Sequence, residues 1–365
     1  MPNDEFKQDL LDAMIEIGEK RSKGFTSKLS SKSVISRVNR TIPTQSPELD
    51  RVLAKDTMGR YGMPVGRVIG IQGKEASGKT TMLIMLMAMA QKLGGVVRLY
   101  ETEMAFDPDY AAECGVDNDE VLLSQPDFLE QGLDSIKDDI NIFKKARAEY
   151  EEEHGEPWDT FMLIGFDSIA GAPPEAEYKL GSFQDDQARA LHARILSKFF
   201  RWTTKRLAME NICLVMTNQT KVDTNVRWGS KDTAIGGKAL RFHASIILEM
   251  KKVGFIGTSK TKEGESDDPG DATGIKSEVK TTKNKVLPPF KKVIVPIIFG
   301  KGIDYNISLF NLLKKDKVIK KSGSWYKLNV GRVRIKEQGE KKFIDELAEY
   351  TTKSRMRKLL EGLVD

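Results

Sequence analysis

Eight residues, Gly73-Lys74-Glu75-Ala76-Ser77-Gly78-Lys79-Thr80, restrict this chain more than anything else in it. They satisfy G-x-x-x-x-G-K-[ST] at every fixed position. Glycines at the two ends let a backbone wrap a phosphate and aim its N–H groups inward. The lysine brings charge to the outer phosphates, the threonine hydroxyl suits Mg²⁺, and a helix that starts here adds a favourable dipole. Gly73 to Thr80 are therefore expected to bind ATP, with Thr81 next to them. Lys79 is expected to serve catalysis as well, because its charge sits where phosphate charge develops. The surroundings agree with this. Arg67–Ile71 is an apolar, β-like run, and Thr80–Leu93 is a long apolar stretch with helical character.

A nucleotide loop of this kind needs a parallel sheet around it. Apolar runs at Val96–Tyr100, Phe161–Phe166, Ile212–Met216 and Ala244–Glu249 predict strands, and Asp186–Glu210 predicts a helix. Their alternation predicts an α/β fold with a mostly parallel central sheet covered on both faces. Ile275–Thr282 and Lys292–Phe299 are expected to add antiparallel strands at one edge. The methionines of the first helix, Met82, Met85, Met87 and Met89, are expected in the core. Asp4–Glu19 has apolar residues at helical spacing and is followed by a Ser/Lys/Gly-rich stretch, Lys20–Ser33, that predicts a linker. Phe143–Trp158 is expected to be an exposed acidic helix and loop, and Thr258–Gly274 a loop. Three regions result: residues 1–33, a core over 34–300, and a small basic α+β domain over 301–365.

Two acids stand out beside the loop. Asp167 closes the run Phe161–Phe166, where a second Mg²⁺-organising carboxylate belongs, so Thr80 and Asp167 are the expected metal ligands. Glu101 and Glu103 close the strand at Val96–Tyr100, and one of them is expected to orient an attacking water. The residues alone leave that choice open.

Composition excludes other classes. The longest apolar runs fall short of a membrane span, and Met1–Leu10 has no secretory h-region, so neither a membrane partner nor export is expected. Two cysteines, Cys114 and Cys213, make no disulfide framework and suit the cytoplasm, and the three scattered histidines do not suggest zinc. The net charge of +5 conceals an asymmetry. Glu101–Ala190 holds 24 acidic and 6 basic residues, whereas Lys251–Asp365 holds 26 basic and 15 acidic ones. A basic C-terminal third fits either nucleic acid or a solvated surface.

Taken together, these segments resemble the bacterial RecA recombinase family over roughly Phe6 to Lys327. The likeness is carried by Met63-Pro64-Val65-Gly66-Arg67 and the phosphate loop; Glu103 with Asp107-Pro108 and Tyr110; and Ser124-Gln125-Pro126-Asp127. Further along it is carried by Asp167-Ser168, Asn218-Gln219, Gly236-Gly237-Lys238-Ala239-Leu240-Arg241-Phe242, Lys283-Asn284-Lys285 with Pro289-Phe290, Gly302-Ile303, and Gly323-Ser324-Trp325-Tyr326. The resemblance implies a RecA-type P-loop ATPase core. In it Glu103 is the catalytic glutamate, Asp107 and Tyr110 contact adenine, and Gln219 senses the terminal phosphate. Lys283 and Lys285 would reach the ATP of a neighbouring subunit.

The same resemblance implies DNA-facing segments at Glu177–Arg189 and Lys221–Ile235. Arg194, Ser197 and Arg201 would lie along one helix face, with Val222, Thr224 and Trp228 in the second segment and Gly236 and Gly237 beyond it. Trp228 could instead pack within its own loop. The N-terminal helix would dock on a neighbour, giving a helical filament. The implied activity is DNA-dependent ATP hydrolysis with homologous pairing and strand exchange between single-stranded and duplex DNA, in DNA repair. The alternatives are a ring-forming helicase or translocase of the same core, and a non-DNA ATPase of that fold acting as a regulatory scaffold. The sequence departs from the family at the acidic stretch Glu149–Glu156, the loop Ser259–Thr273, and the region after Lys327. It stops at Asp365 without an acidic tail, so restraint of duplex binding by such a tail is not expected. These departures suggest a divergent member, such as a phage would encode.

Overall fold

The apolar runs pair into one sheet, and the order of its strands decides where the site lies. The structure, a computed structural model, describes residues 2–21, 26, 37–180, 188–222, 232–234, 239–257, 272–331, 333–353, 360 and 362. In chain order the first elements are α1 (Pro2–Arg21), β1 (Thr41–Ile42), α2 (Pro47–Leu53), β2 (Met63–Pro64), β3 (Val68–Gly73), α3 (Lys79–Lys92), β4 (Val96–Glu101) and α4 (Pro108–Glu113). Then come β5 (Val121–Ser124), α5 (Leu129–His154), β6 (Met162–Asp167), α6 (Glu175–Leu180), α7 (Ala188–Met209), β7 (Ile212–Val222), β8 (Asp232–Ala234) and α8 (Ala239–His243). The remainder is β9 (Ile246–Ile256), β10 (Gly274–Asn284), β11 (Lys292–Ile298), β12 (Gly302–Ile303), α9 (Tyr305–Lys315), β13 (Lys320–Ser322), β14 (Trp325–Val330), β15 (Val333–Gln338) and α10 (Glu340–Thr351).

Among the described residues the main sheet has ten strands, ordered β12-β11-β10-β9-β3-β7-β6-β4-β5, with β8 folded back on β7. The six from β9 to β5 are mutually parallel. β10, β11 and β12 extend the sheet antiparallel, as the sequence predicts for the first two. Strands covered on both faces must be apolar at every position. On β3, Val68 packs into one core and its neighbours Ile69 and Ile71 into the other. Helix α3 fills the second core with Met82, Met85 and Met87, and Met89 packs against it half-buried. Burying each such side chain contributes roughly 1.5–3 kcal/mol.

The acidic stretch is a largely exposed helix end and loop, as expected, except that Phe143 is buried. Helix α5 runs from Leu129 to His154 and ends at Gly155, so Phe143 lies inside it. Leu133, Ile136, Ile140 and Phe143 form a buried face at helical spacing, while Glu149 and Glu151–Glu153 stay exposed. Trp158 returns to stack on Tyr150 and to meet Phe143. Sequence charge drew attention to the wet side of a helix whose dry side is core.

Helix α1 starts and ends two residues outside Asp4–Glu19, and takes up Lys20 and Arg21 from the expected linker. Residues 22–25 and 27–33 of that linker, and 258–271 of the Thr258–Gly274 loop, lie outside the described residues. The apolar side chains Phe6, Leu10, Leu11, Met14 and Ile17 of α1 are exposed. Residues after Asp304 build a core of their own from Leu309, Phe310, Leu313, Tyr326, Leu328, Ile335, Phe343 and Leu347. It is joined to α2 by Ser46–Ser308 (2.6 Å), Glu48–Lys315 (2.8 Å) and Arg51–Asp316 (2.6 Å).

Candidate active site

In a parallel sheet the carboxyl ends of neighbouring strands share one edge, and ligands gather where the strand order reverses. Here β3, β7, β6 and β4 end side by side. Register sets Gly73 beside Gln219 and Glu101 beside Asp167. Four segments far apart in sequence thereby converge.

The loop after β3 turns through Ala76 (φ 54°) and Gly78 (φ 93°) into α3. A left-handed residue at the start of a helix calls for glycine. Ser77 Oγ and Lys79 Nζ both donate to the Lys74 carbonyl, at 2.7 and 2.9 Å. Burial lowers the Lys79 pKa, while Asp167, Glu103 and Glu75 pull it back up. Lys74, Glu75 and Ala76 face solvent.

Thr80 donates to Asp167 Oδ2 at 2.8 Å, and Thr217 on β7 donates to the other carboxylate oxygen. Burial raises the Asp167 pKa; Glu103 adds to this, and the two threonines and Lys79 oppose it. A hydroxyl and a carboxylate side by side are hard oxygen donors that fit Mg²⁺. Mg²⁺ usually takes one or two protein ligands and completes its octahedron with phosphate and water. Among the described residues no group of three or more His, Cys, Asp and Glu could hold a metal.

The two glutamates separate cleanly. Glu101 is buried and accepts the backbone N–H groups of Glu103 (2.9 Å) and Ala105 (3.1 Å) and the amide of Gln125 (3.2 Å). It ties down the turn after β4. Glu103 is exposed and accepts from the Ser168 hydroxyl and from Gln219 Nε2 at 3.1 Å. Of the pair, Glu103 thus faces the shared edge with Gln219. Thr217, Ser168 and Thr102 belong to this cluster, yet sequence reasoning gave them no role. Their only signal was position, as hydroxyls within two residues of a predicted acid or amide.

Asp107 caps α4, accepting from Asp109 N (2.9 Å) and Tyr110 N (3.1 Å), and the Tyr110 hydroxyl meets Thr81 Oγ1 at 3.1 Å. Tyr110 is thereby held against the first turn of α3. Lys283, next to last in β10, and Lys285, just beyond its end at Asn284, lie elsewhere. Lys283 Nζ donates to the carbonyls of Arg241 and, at 3.0 Å, Phe242 at the end of α8. Burial first, then Lys285 and Arg241, lower its pKa to about 8.

On α7, Arg194 and Arg201 are exposed and Ser197 lies half-buried between them, its hydroxyl donating to the Ala193 carbonyl at 2.8 Å. Val222 ends β7 with its side chain outside the described residues, as are Thr224, Trp228, Gly236 and Gly237 altogether.

A family model described as the RecA N-terminal domain matches residues 8–304. The chain belongs to the RecA family. It is 36% identical to Protein RecA of Fusobacterium nucleatum over 97% of its own length and 85% of that protein. It is 34% identical to Protein RecA of Treponema denticola, over 99% of this chain and 80% of that one. The match to Protein RecA of Bartonella quintana is also 34%, over 95% and 90%. Among the described residues no helix is long and apolar enough to cross a membrane.

Proposed function

We propose that this RecA-family chain is a cytoplasmic, ATP-dependent recombinase of a divergent, phage-type member. In this reading it assembles as a helical filament on single-stranded DNA, hydrolyses ATP in response to that DNA, and exchanges strands with a homologous duplex during repair. The observation that carries the reading is the Glu103–Gln219 hydrogen bond. It joins the expected catalytic acid to the strand that leads into the expected DNA-facing segment.

ATP, when bound with Mg²⁺, supplies the phosphoanhydride to be cleaved and a metal that neutralises its charge. Gly73 to Thr81 would hold it, with Thr80 and Asp167 toward the metal and Asp107 and Tyr110 toward the base. Lys79 exchanges the Lys74 carbonyl for phosphate oxygens and stabilises the charge that develops on them. Glu103 orients a water and draws on its proton. Gln219 shares Glu103 with Ser168, so a change in its hydrogen bonding moves both the acid and the end of β7. Lys283 and Lys285 act on the neighbour's nucleotide as cationic clamps.

Arg194 and Arg201 grip the DNA backbone, so affinity falls steeply with salt as counterions are released. Base pairing, and not the protein, then reads homology. The bare apolar face of α1 supports self-association, and a filament over a closed motor ring.

Strand exchange tests the reading. The protein is mixed with labelled single-stranded DNA, Mg²⁺ and a slowly hydrolysed ATP analogue, and then with homologous or heterologous duplex. Transfer of fluorescence with homologous duplex alone is expected. DNA-stimulated hydrolysis without exchange would favour the translocase.

A further inference from the structure

One buried histidine has no part in the reading above. His192 lies on α7, two residues before Arg194. A step of two residues turns a helix through about 200°, so the two side chains leave on opposite faces. Arg194 points to solvent and His192 into the protein, where it is buried at 6% exposure. Its Nε2 lies 3.2 Å from the Ala172 carbonyl, while Nδ1, also buried, has no hydrogen-bond partner among the described residues. Burial lowers the imidazole pKa by more than the carbonyls of Ala172 and Ile169 raise it. A carbonyl oxygen only accepts, so Nε2 carries an N–H and that N–H serves Ala172.

Ala172 ends the tight turn that follows Asp167. The turn is fastened at its near end by Gly171 N to Ser168 O (3.2 Å) and Ile169 N to Thr217 O (3.1 Å). Thr102 Oγ1 donates to the Ser168 carbonyl (2.7 Å) and accepts from Ser168 N (3.0 Å). The Ser168 hydroxyl donates to Glu103. Gly171 lies so close to the glutamate turn that a Cβ there would stand 2.6 Å from Thr102 Oγ1 and 3.0 Å from Glu103 Cγ. The turn Ser168–Ala172 thus cannot shift without moving Glu103.

We infer that His192 is a positioning residue that couples α7, and the DNA held on its outer face, to Glu103 through the Ala172 carbonyl and the Ser168–Ala172 turn. The inference rests on the proposed function and adds a second route beside Gln219. Gln219 reports on the segment after β7, whereas His192 reports on the helix that carries Arg194 and Arg201. A polar tie to backbone carbonyls suits this role, because a hydrogen bond makes and breaks as a unit. Spatial continuity is not yet coupling, so the test must read coupling directly.

The full chain is assayed for ATP turnover with and without single-stranded DNA, alongside H192L and H192Q. Leucine removes the donor at similar size; glutamine returns an N–H near the position of Nε2. In H192L the ratio of DNA-stimulated to unstimulated turnover should fall about tenfold. Affinities for a fluorescent ATP analogue and for DNA should stay within about threefold, and H192Q should recover most of the ratio. An unchanged ratio in H192L, or a loss that H192Q does not repair, overturns the inference. Should H192L fold poorly, hydrogen exchange of the unaltered chain decides. Adding DNA to the ATP-analogue complex should change protection at Ser168–Ala172, and no change there overturns it. If the unaltered chain shows no DNA stimulation at all, the recombinase reading falls and takes this inference with it. Stimulation that survives in H192L removes the inference alone.

Discussion

Helices α3 and α1 are both rich in apolar side chains, and they end in opposite surroundings. Eight of the fourteen residues of α3 are buried, and no apolar stripe is left over. On α1, Phe6, Leu10, Leu11, Met14 and Ile17 form a stripe at helical spacing that the described residues leave uncovered. The edge strand β5 adds exposed Leu122 and Leu123, and Lys283 turns from its own phosphate loop to the end of α8. One part of the molecule is finished within a single chain, and the other is half of something. In the proposed reading, binding the nucleotide belongs to the first part, and assembly, with whatever assembly adds to catalysis, belongs to the second.

The largest effects should come from the finished part. K79A removes the cation that faces the phosphates and should lower turnover 100-fold or more. E103Q should lower kcat about 100-fold while ATP affinity stays within about threefold, measured with a fluorescent analogue. If E103Q turns over normally, Glu103 is not the base, and the separation of the two glutamates by burial means something else.

Next is the unfinished part. Placing carboxylates on the bare stripe, L10D with M14D, should abolish ATP-dependent assembly in light scattering or sedimentation. Thermal stability and nucleotide binding should stay close to those of the parent. Loss of the fold itself would show that α1 covers its own chain, and the contrast with α3 would disappear.

The smallest effect concerns Lys283. With a pKa near 8 in the free subunit, its charge is present below that pH and is lost as pH rises through it. Assembly with ATP should therefore weaken on the order of threefold between pH 7 and 9. K283R, charged throughout, should flatten that limb. A limb that persists in K283R assigns it to another group.

Much of this was legible in the sequence, for reasons that differ by residue. The phosphate loop and the strands showed because fully buried parallel strands are apolar at every position, and because few residue types can line a phosphate. Glu101 and Glu103 could not be ranked from residues alone. The strand stops at Glu101, and only the turn beyond it sends one acid inward to backbone N–H groups and the other to Ser168 and Gln219; the family resemblance, not the spacing, pointed to Glu103. Helix α5 was seen only at its acidic end, because acidic density marks the solvated side and says nothing of Leu133, Ile136 and Ile140 further back on the other. His192 looked like an isolated histidine, since its partner is a backbone carbonyl, which leaves no trace in side-chain spacing. The second DNA-facing segment, Lys221–Ile235, lies largely outside the described residues and remains an expectation.

The Lys74 carbonyl, which receives both Ser77 and Lys79, has a thermodynamic consequence. A flexible loop would have to lose conformational freedom each time a nucleotide arrived, and that loss would weaken binding. Here the ordering is charged to folding, when the loop closes on its own backbone. Arrival of a polyphosphate is then an exchange of hydrogen-bond partners at nearly constant shape. Exchange can be fast in both directions, which would suit a site that, in the proposed reading, loads and unloads repeatedly along a filament.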